Sequence, residues 1–335
     1  MISEGKEYIG VDKYLYSLND KDLSLYADEF HSFDKIEFIR HCRYINLRDL
    51  SLEQYKKYCQ CAYKINCTER YNLCMKILSL SSKFLNDKIM INIVKDINSE
   101  VNSGTIVNRY KYLNRTTLDN NLEMYMKNLS EVELGFISDL LFQSNSIFFI
   151  EDCEKIIKYK IGLDEYISNY PDVILEQVKQ RYDLCNRIIS SSKLYLKRLM
   201  VVNAIYNIEK GLPIDTVLIE ANVAKIETLH NYIHNFLIGL KGNDLQFFTD
   251  KLFYFKGFSC INDCKQIVKY TLNYEQFKKF KGGECIELFE LYTKIINESV
   301  KMNALCEAFK KENEKYSQQI PGCRLYTRKK FRYTD

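Results

Sequence analysis

His230 and His234 stand four residues apart, the spacing at which two imidazoles on one helical face can share a divalent metal. Asn231, Tyr232 and Ile233 lie between them, so the His-Glu-x-x-His arrangement with its general-base glutamate is missing. Five cysteines fall close together, at Cys42, Cys59, Cys61, Cys67 and Cys74. Thiolates bind soft metals such as zinc, but Cys59 and Cys61 diverge by about 200° around a helix, and the paired spacing of zinc ribbons is missing. Cys260 and Cys264 are one turn apart, with no second pair to complete a ligand set. The phosphate-binding G-x-x-x-x-G-K-[ST] and G-x-G-x-x-G patterns do not occur, nor does G-x-S-x-G, and Gly282-Gly283 reads as a turn. The sequence therefore assigns no catalytic residue, no metal ligand and no cofactor.

Two residue types recur at a fixed interval. Asp28, Asp139 and Asp250 each interrupt an apolar stretch. A carboxylate so placed either performs chemistry or accepts hydrogen bonds from a helix end or a basic neighbour. Recurrence at three positions favours the structural role, because a single active site needs one copy. Cys42, Cys153 and Cys264 sit in stripes of isoleucine. The residue before each varies (His41, Asp152, Asp263), which excludes a shared Cys–His pair. The expectation is a buried, unpaired thiol that acts as a small hydrophobe where two helices approach closely.

The C-terminal segment differs in kind. Arg324, Arg328, Lys329, Lys330 and Arg332 alternate with Tyr326, Phe331 and Tyr333. Cations neutralise phosphates and aromatic rings stack on bases, so this composition suits single-stranded nucleic acid; it suits an acidic protein partner equally.

The elements that must carry these residues show the same recurrence. Asp22–Tyr58 laid on Asp244–Phe280 gives 12 identities in 37 positions, and Glu133–Asn169 on the same segment gives 11. Unrelated segments of ordinary composition share roughly one position in sixteen. The two offsets are 222 and 111 residues, so the sequence reads as three tandem copies of one unit. Residues 1–10 form a lead-in, 11–121, 122–232 and 233–323 the three units, and 324–335 the basic–aromatic tail. The third unit is shortened and diverges after about Leu291. Within each unit the apolar residues recur three and four apart, as in Ile39, Cys42 and Ile45 or Ile150, Cys153 and Ile156, which is a helical period. Ser51 with Gln54, Ser130 with Glu133 and Asn273 with Gln276 have the spacing of capping boxes. For the first unit the pattern predicts helices over about 11–18, 20–32, 35–47, 52–64, 68–85 and 87–115, the last broken near Gly104. No segment alternates with period two. The predicted fold is all-α, a solenoid-like array of three multi-helix units.

Composition narrows the function classes. The net charge of +4 over 335 residues gives whole-molecule electrostatics little hold on nucleic acid or membrane. No apolar stretch is long enough to span a bilayer. The polar start, Met1 to Glu7, has no apolar core behind it, so the expectation is a cytoplasmic protein with free thiols. The favoured reading is a non-catalytic helical-repeat scaffold or structural subunit that binds other proteins. The alternative is a nucleic-acid-associated protein acting through the tail, and an enzyme with a site between units is a third class.

Overall fold

Apolar residues at helical spacing can be buried only if helices pack side by side, and the protein does this throughout. The computed structural model describes residues 14–32, 36–59, 67–112, 114–142, 147–255, 257–283 and 285–313. Among these it is all-helical, with 20 helices and no strand. Residues 324–335, and with them all eight side chains of the basic–aromatic tail, lie outside the described residues, as does Cys61.

The chain divides into two compact units, Met1–Leu196 and Lys197–Asp335. The first contains α1 (residues 14–17), α2 (Asp20–Phe30), α3 (Glu37–Arg48), α4 (Leu52–Cys59), α5 (Cys67–Leu80), α6 (Ser82–Asn98) and α7 (Ser103–Arg109). It continues with α8 (Arg115–Lys127), α9 (Glu131–Leu141), α10 (Phe148–Tyr159), α11 (Leu163–Ser168) and α12 (Leu175–Ser191). Helix α13 (Lys193–Glu209) starts in the first unit and ends in the second. The second unit then has α14 (Ile214–Glu220), α15 (Ile226–Ile238), α16 (Gly242–Leu252), α17 (Ser259–Tyr270), α18 (Tyr274–Lys281), α19 (Ile286–Glu298) and α20 (Val300–Asn313).

In the first unit, α5 packs on α2, α3 and α4, and α12 packs on α9, α10 and α11. In the second, α19 packs on α16, α17 and α18. The central helices carry the apolar stripes inward: Ile39, Cys42 and Ile45 on α3, Ile150, Cys153 and Ile157 on α10, and Ile261, Cys264 and Val268 on α17 are all buried.

One predicted helix ends earlier than its apolar period suggests, and another breaks near Gly104 as its pattern predicts. The stretch read as 68–85 stops at Leu80, and α6 restarts at Ser82. Ser81 is the cause: its side chain accepts from the Phe84 amide at 3.2 Å and donates to Asp28 at 2.6 Å, fixing a helix start there. The next stretch breaks at 99–102, before Gly104, where Glu100 takes a left-handed backbone (φ 58) and the Asn102 side chain accepts from the Gly104 amide. The three capping boxes form as spaced. Ser51 and Gln54, Ser130 and Glu133, and Asn273 and Gln276 open α4, α9 and α18.

Candidate functional site

The most elaborate polar arrangement is built on α8, where Asp119, Glu123 and Lys127 recur every fourth residue and so share one face. Asn114 starts this helix by accepting from the Thr117 amide at 2.9 Å. Glu123 is buried, and Arg181 of α12 donates to its Oε2 through Nε (3.0 Å) and Nη2 (2.9 Å). Lys127 pairs with its other oxygen at 2.9 Å. Asp152 of α10, also buried, accepts from the hydroxyls of Tyr166 (3.1 Å) and Tyr170 (2.7 Å). Arg181 Nη1 lies 3.9 Å from Asp152 and links the two carboxylates.

These groups shape a cleft of about 500 Å³, a size that suits a small ligand or a few residues of peptide. Asn120, Asn128, Gln177 and Gln180 add amide side chains to its walls. Its lip is apolar: Met124 is 61% exposed and Val173 44%, and Ile174 and Leu175, which follow Val173, are likewise exposed.

Burial is the first cause of the shifts around this cleft. Burial, reinforced by the bond to Asp152, pushes the Tyr170 hydroxyl up to about 12. Burial and then the Asp152 charge push Tyr166 well above the usual phenol range. Asp119, one turn before Glu123 on the same face of α8, is pushed up to about 6 by burial, which the Arg115 charge and the Phe148 amide oppose in part. Glu123 and Asp152, by contrast, are each held by more than one donor or cation: Glu123 by Arg181 and Lys127, Asp152 by Tyr166, Tyr170 and the more distant Arg181.

The recurring aspartates stand in the last turns of α2, α9 and α16 and accept hydrogen bonds from the starts of α6, α13 and α20. Asp28 accepts from Ser81 (2.6 Å), Ser82 (2.6 Å) and the Lys83 amide (3.1 Å), and these bonds hold its carboxyl at about 2. Asp139 accepts from Ser192 (2.5 Å) and the Leu194 amide (3.2 Å). Asp250 accepts from Ser299 (2.6 Å) and the Lys301 amide (3.2 Å). Ser81, Ser192 and Ser299 are fully buried, and each also accepts from the amide three residues on.

The recurring cysteines divide. Cys42 is disulfide-bonded to Cys74 and Cys153 to Cys185, which corrects the expectation of unpaired thiols at these two positions. The reason is close approach: the Cα atoms of each pair are 4.9 Å apart across the α3–α5 and α10–α12 contacts, within disulfide reach. The expectation saw the close helix contact from one side only, because the partner cysteines stand on another helix. Cys264 is a buried free thiol whose Sγ lies 3.9 Å from the Tyr292 carbonyl, and burial raises its pKa.

His230 and His234 do share a face of α15, with rings edge-on to Phe258 (5.2 Å) and Tyr292 (6.5 Å). Burial lowers the pKa of both. Among the described residues no three His, Cys, Asp or Glu side chains converge as a metal site. Gly282 ends α18 in a left-handed conformation (φ 77), a helix cap.

Glu123, Tyr166, Tyr170 and Arg181 are not singled out by the sequence. The available signals were the four-residue ladder on α8 and the Pro171 turn ahead of three apolar residues, Val173 to Leu175. No protein-family model, curated protein or solved structure matches the chain.

Proposed function

We propose that the protein is a non-catalytic scaffold of three tandem helical units, and that the cleft of the middle unit grips a segment of a protein partner. The cleft carries this reading. Its charged groups are consumed by one another, its walls offer amides suited to a peptide main chain, and its lip leaves Met124, Val173, Ile174 and Leu175 unburied.

The triplicate organisation is supported by the Asp–Ser helix starts and by aromatic contacts at matching places. Tyr55 meets Tyr71 at 5.7 Å, Tyr166 meets Tyr182 at 5.4 Å, and Phe277 meets Phe289 at 5.5 Å. Phe289 and Ser299 fall four residues short of the 111-residue interval, so we read the third unit as having lost four residues between α18 and α19 and then resuming the pattern. The full polar set of the cleft is particular to the middle unit. At the interval of 111, Glu123 corresponds to Asp12 and His234, Asp152 to His41 and Asp263, and Tyr170 to Cys59 and Lys281. Each flanking unit thus keeps one acid of the pair and replaces the other with histidine, and neither keeps the second tyrosine. A binding site that evolves in one copy of a repeat needs such divergence, whereas the helix starts do not.

The test is site-directed photocrosslinking in extract of the native source, with benzoylphenylalanine at Met124 and, as control, at the exposed Leu25. A discrete protein adduct is expected from Met124 and not from Leu25. It should survive nuclease treatment and disappear with I174D/L175D. An adduct that nuclease removes, or that truncation before Arg324 abolishes, would favour the nucleic-acid reading. Equal labelling at both positions would reject the cleft.

A further inference from the structure

The sequence suggests free thiols in a reducing compartment, yet among the described residues two cysteine pairs are joined. We propose that Cys42–Cys74 and Cys153–Cys185 are permanent structural cross-links, and that the chain folds and works in an oxidising compartment.

Their placement argues against a switch. All four cysteines are 0% exposed, each in the middle of a helix face that packs against its partner helix. A regulatory disulfide must be reached by a thiolate in line with its sulfurs, and here that requires separating α3 from α5 or α10 from α12. The same bond occurs twice, with the same spacing of 32 residues, joining α3 to α5 and α10 to α12, helix pairs that pack directly on each other. Surface oxidation of exposed thiols would not select two buried and equivalent pairs.

The other described thiols support selectivity. Cys59, Cys67, Cys260, Cys264 and Cys285 are free. Cys264 occupies the matching place in the third unit, where Tyr292 of α19 stands opposite it; its sulfur neighbour is Cys260, one turn away on the same helix, and both stay free. Cys306 is also disulfide-bonded.

The chemistry constrains when the bonds form. Each pair of thiols gives up two protons and two electrons to an incoming disulfide of a thiol–disulfide exchange donor, which leaves as two thiols. Once the helices close, neither donor nor reductant reaches the sulfurs, so exchange belongs to folding. Glutathione and thioredoxin systems hold nascent thiols reduced in the cytosol, whereas secretory and periplasmic spaces supply the donor.

The test begins with protein from the native source, lysed in denaturant with N-ethylmaleimide so that free thiols are blocked at once. Digestion without reductant should yield peptides linking Cys42 to Cys74 and Cys153 to Cys185, with Cys59, Cys260 and Cys264 alkylated. Alkylation of all four paired cysteines would overturn the proposal. A second measurement examines permanence. The native oxidised protein, held for hours in millimolar glutathione, should keep both bonds and lose them only when denaturant is added. Ready reduction in the folded state would show exchangeable bonds and reject the structural role.

Discussion

Thr271 is a β-branched residue in a left-handed backbone conformation (φ 50), ending α17. Lys160 (φ 54) and Asp49 (φ 55) do the same for α10 and α3, and in each case the cap amide bonds the carbonyl four residues back. A side chain at such a position crowds the carbonyl that follows it, and β-branching makes this worse. Thr271→Gly should therefore raise stability by about 1 kcal/mol, read by chemical denaturation. Asp49→Gly should not show this gain, because the Asp49 carboxylate is held by Lys88 (2.5 Å) and Lys95 (3.3 Å), which also lower its pKa. A fall in stability for Thr271→Gly would mean that its hydroxyl bond to the Tyr270 carbonyl outweighs the backbone relief. The aspartates were legible at this scale as far as residue type allowed: a carboxylate in an apolar helix needs donors. Which donors was not legible, because Ser81, Ser192 and Ser299 lie about 50 residues away and serine is common in turns.

Helix α9 meets α12 at Gly135, where an added Cβ would fall inside contact distance of the Ser191 carbonyl. Arg187 closes the same seam, donating to the carbonyls of Lys127 (3.0 Å) and Leu129 (2.8 Å) and to Glu131 (2.8 Å). Alanine in an unconstrained helix is more stable than glycine, so the sign of the effect reports the contact. Gly135→Ala should destabilise by about 1–3 kcal/mol, since backbone atoms cannot step aside as a side chain would. A thermal midpoint equal to or above that of the parent would show that the helices separate freely. Helical type and period were readable because apolar residues on the central helices repeat faithfully. Helix ends were less so. The apolar pattern runs on through Ser81, and only a capping partner 53 residues away decides that the helix stops there. The cleft was unreadable for a similar reason: Glu123 and Arg181 are 58 residues apart, and each resembles a solvated surface charge on its own helix.

At the level of the molecule, pH probes the half-buried imidazoles of α15. Burial depresses the pKa of both His230 and His234 in the folded state, while the unfolded chain takes up protons near the ordinary histidine value of about 6.5. Stability from keeping them neutral is present above that value and is lost as pH falls below it toward the depressed folded pKa. The parent should lose stability between about pH 7 and 5.5, and H230Q/H234Q should lose less over the same interval, measured by denaturation at each pH. Identical slopes would show that both rings reach water when protonated. The disulfides also carry a topological consequence. Cys153 and Cys185 close a covalent ring, and the exposed Val173–Leu175 stretch lies on its circumference. A protease that nicks the backbone there opens the ring without releasing either arm. The two fragments stay tethered, and the break is silent until a reductant parts them.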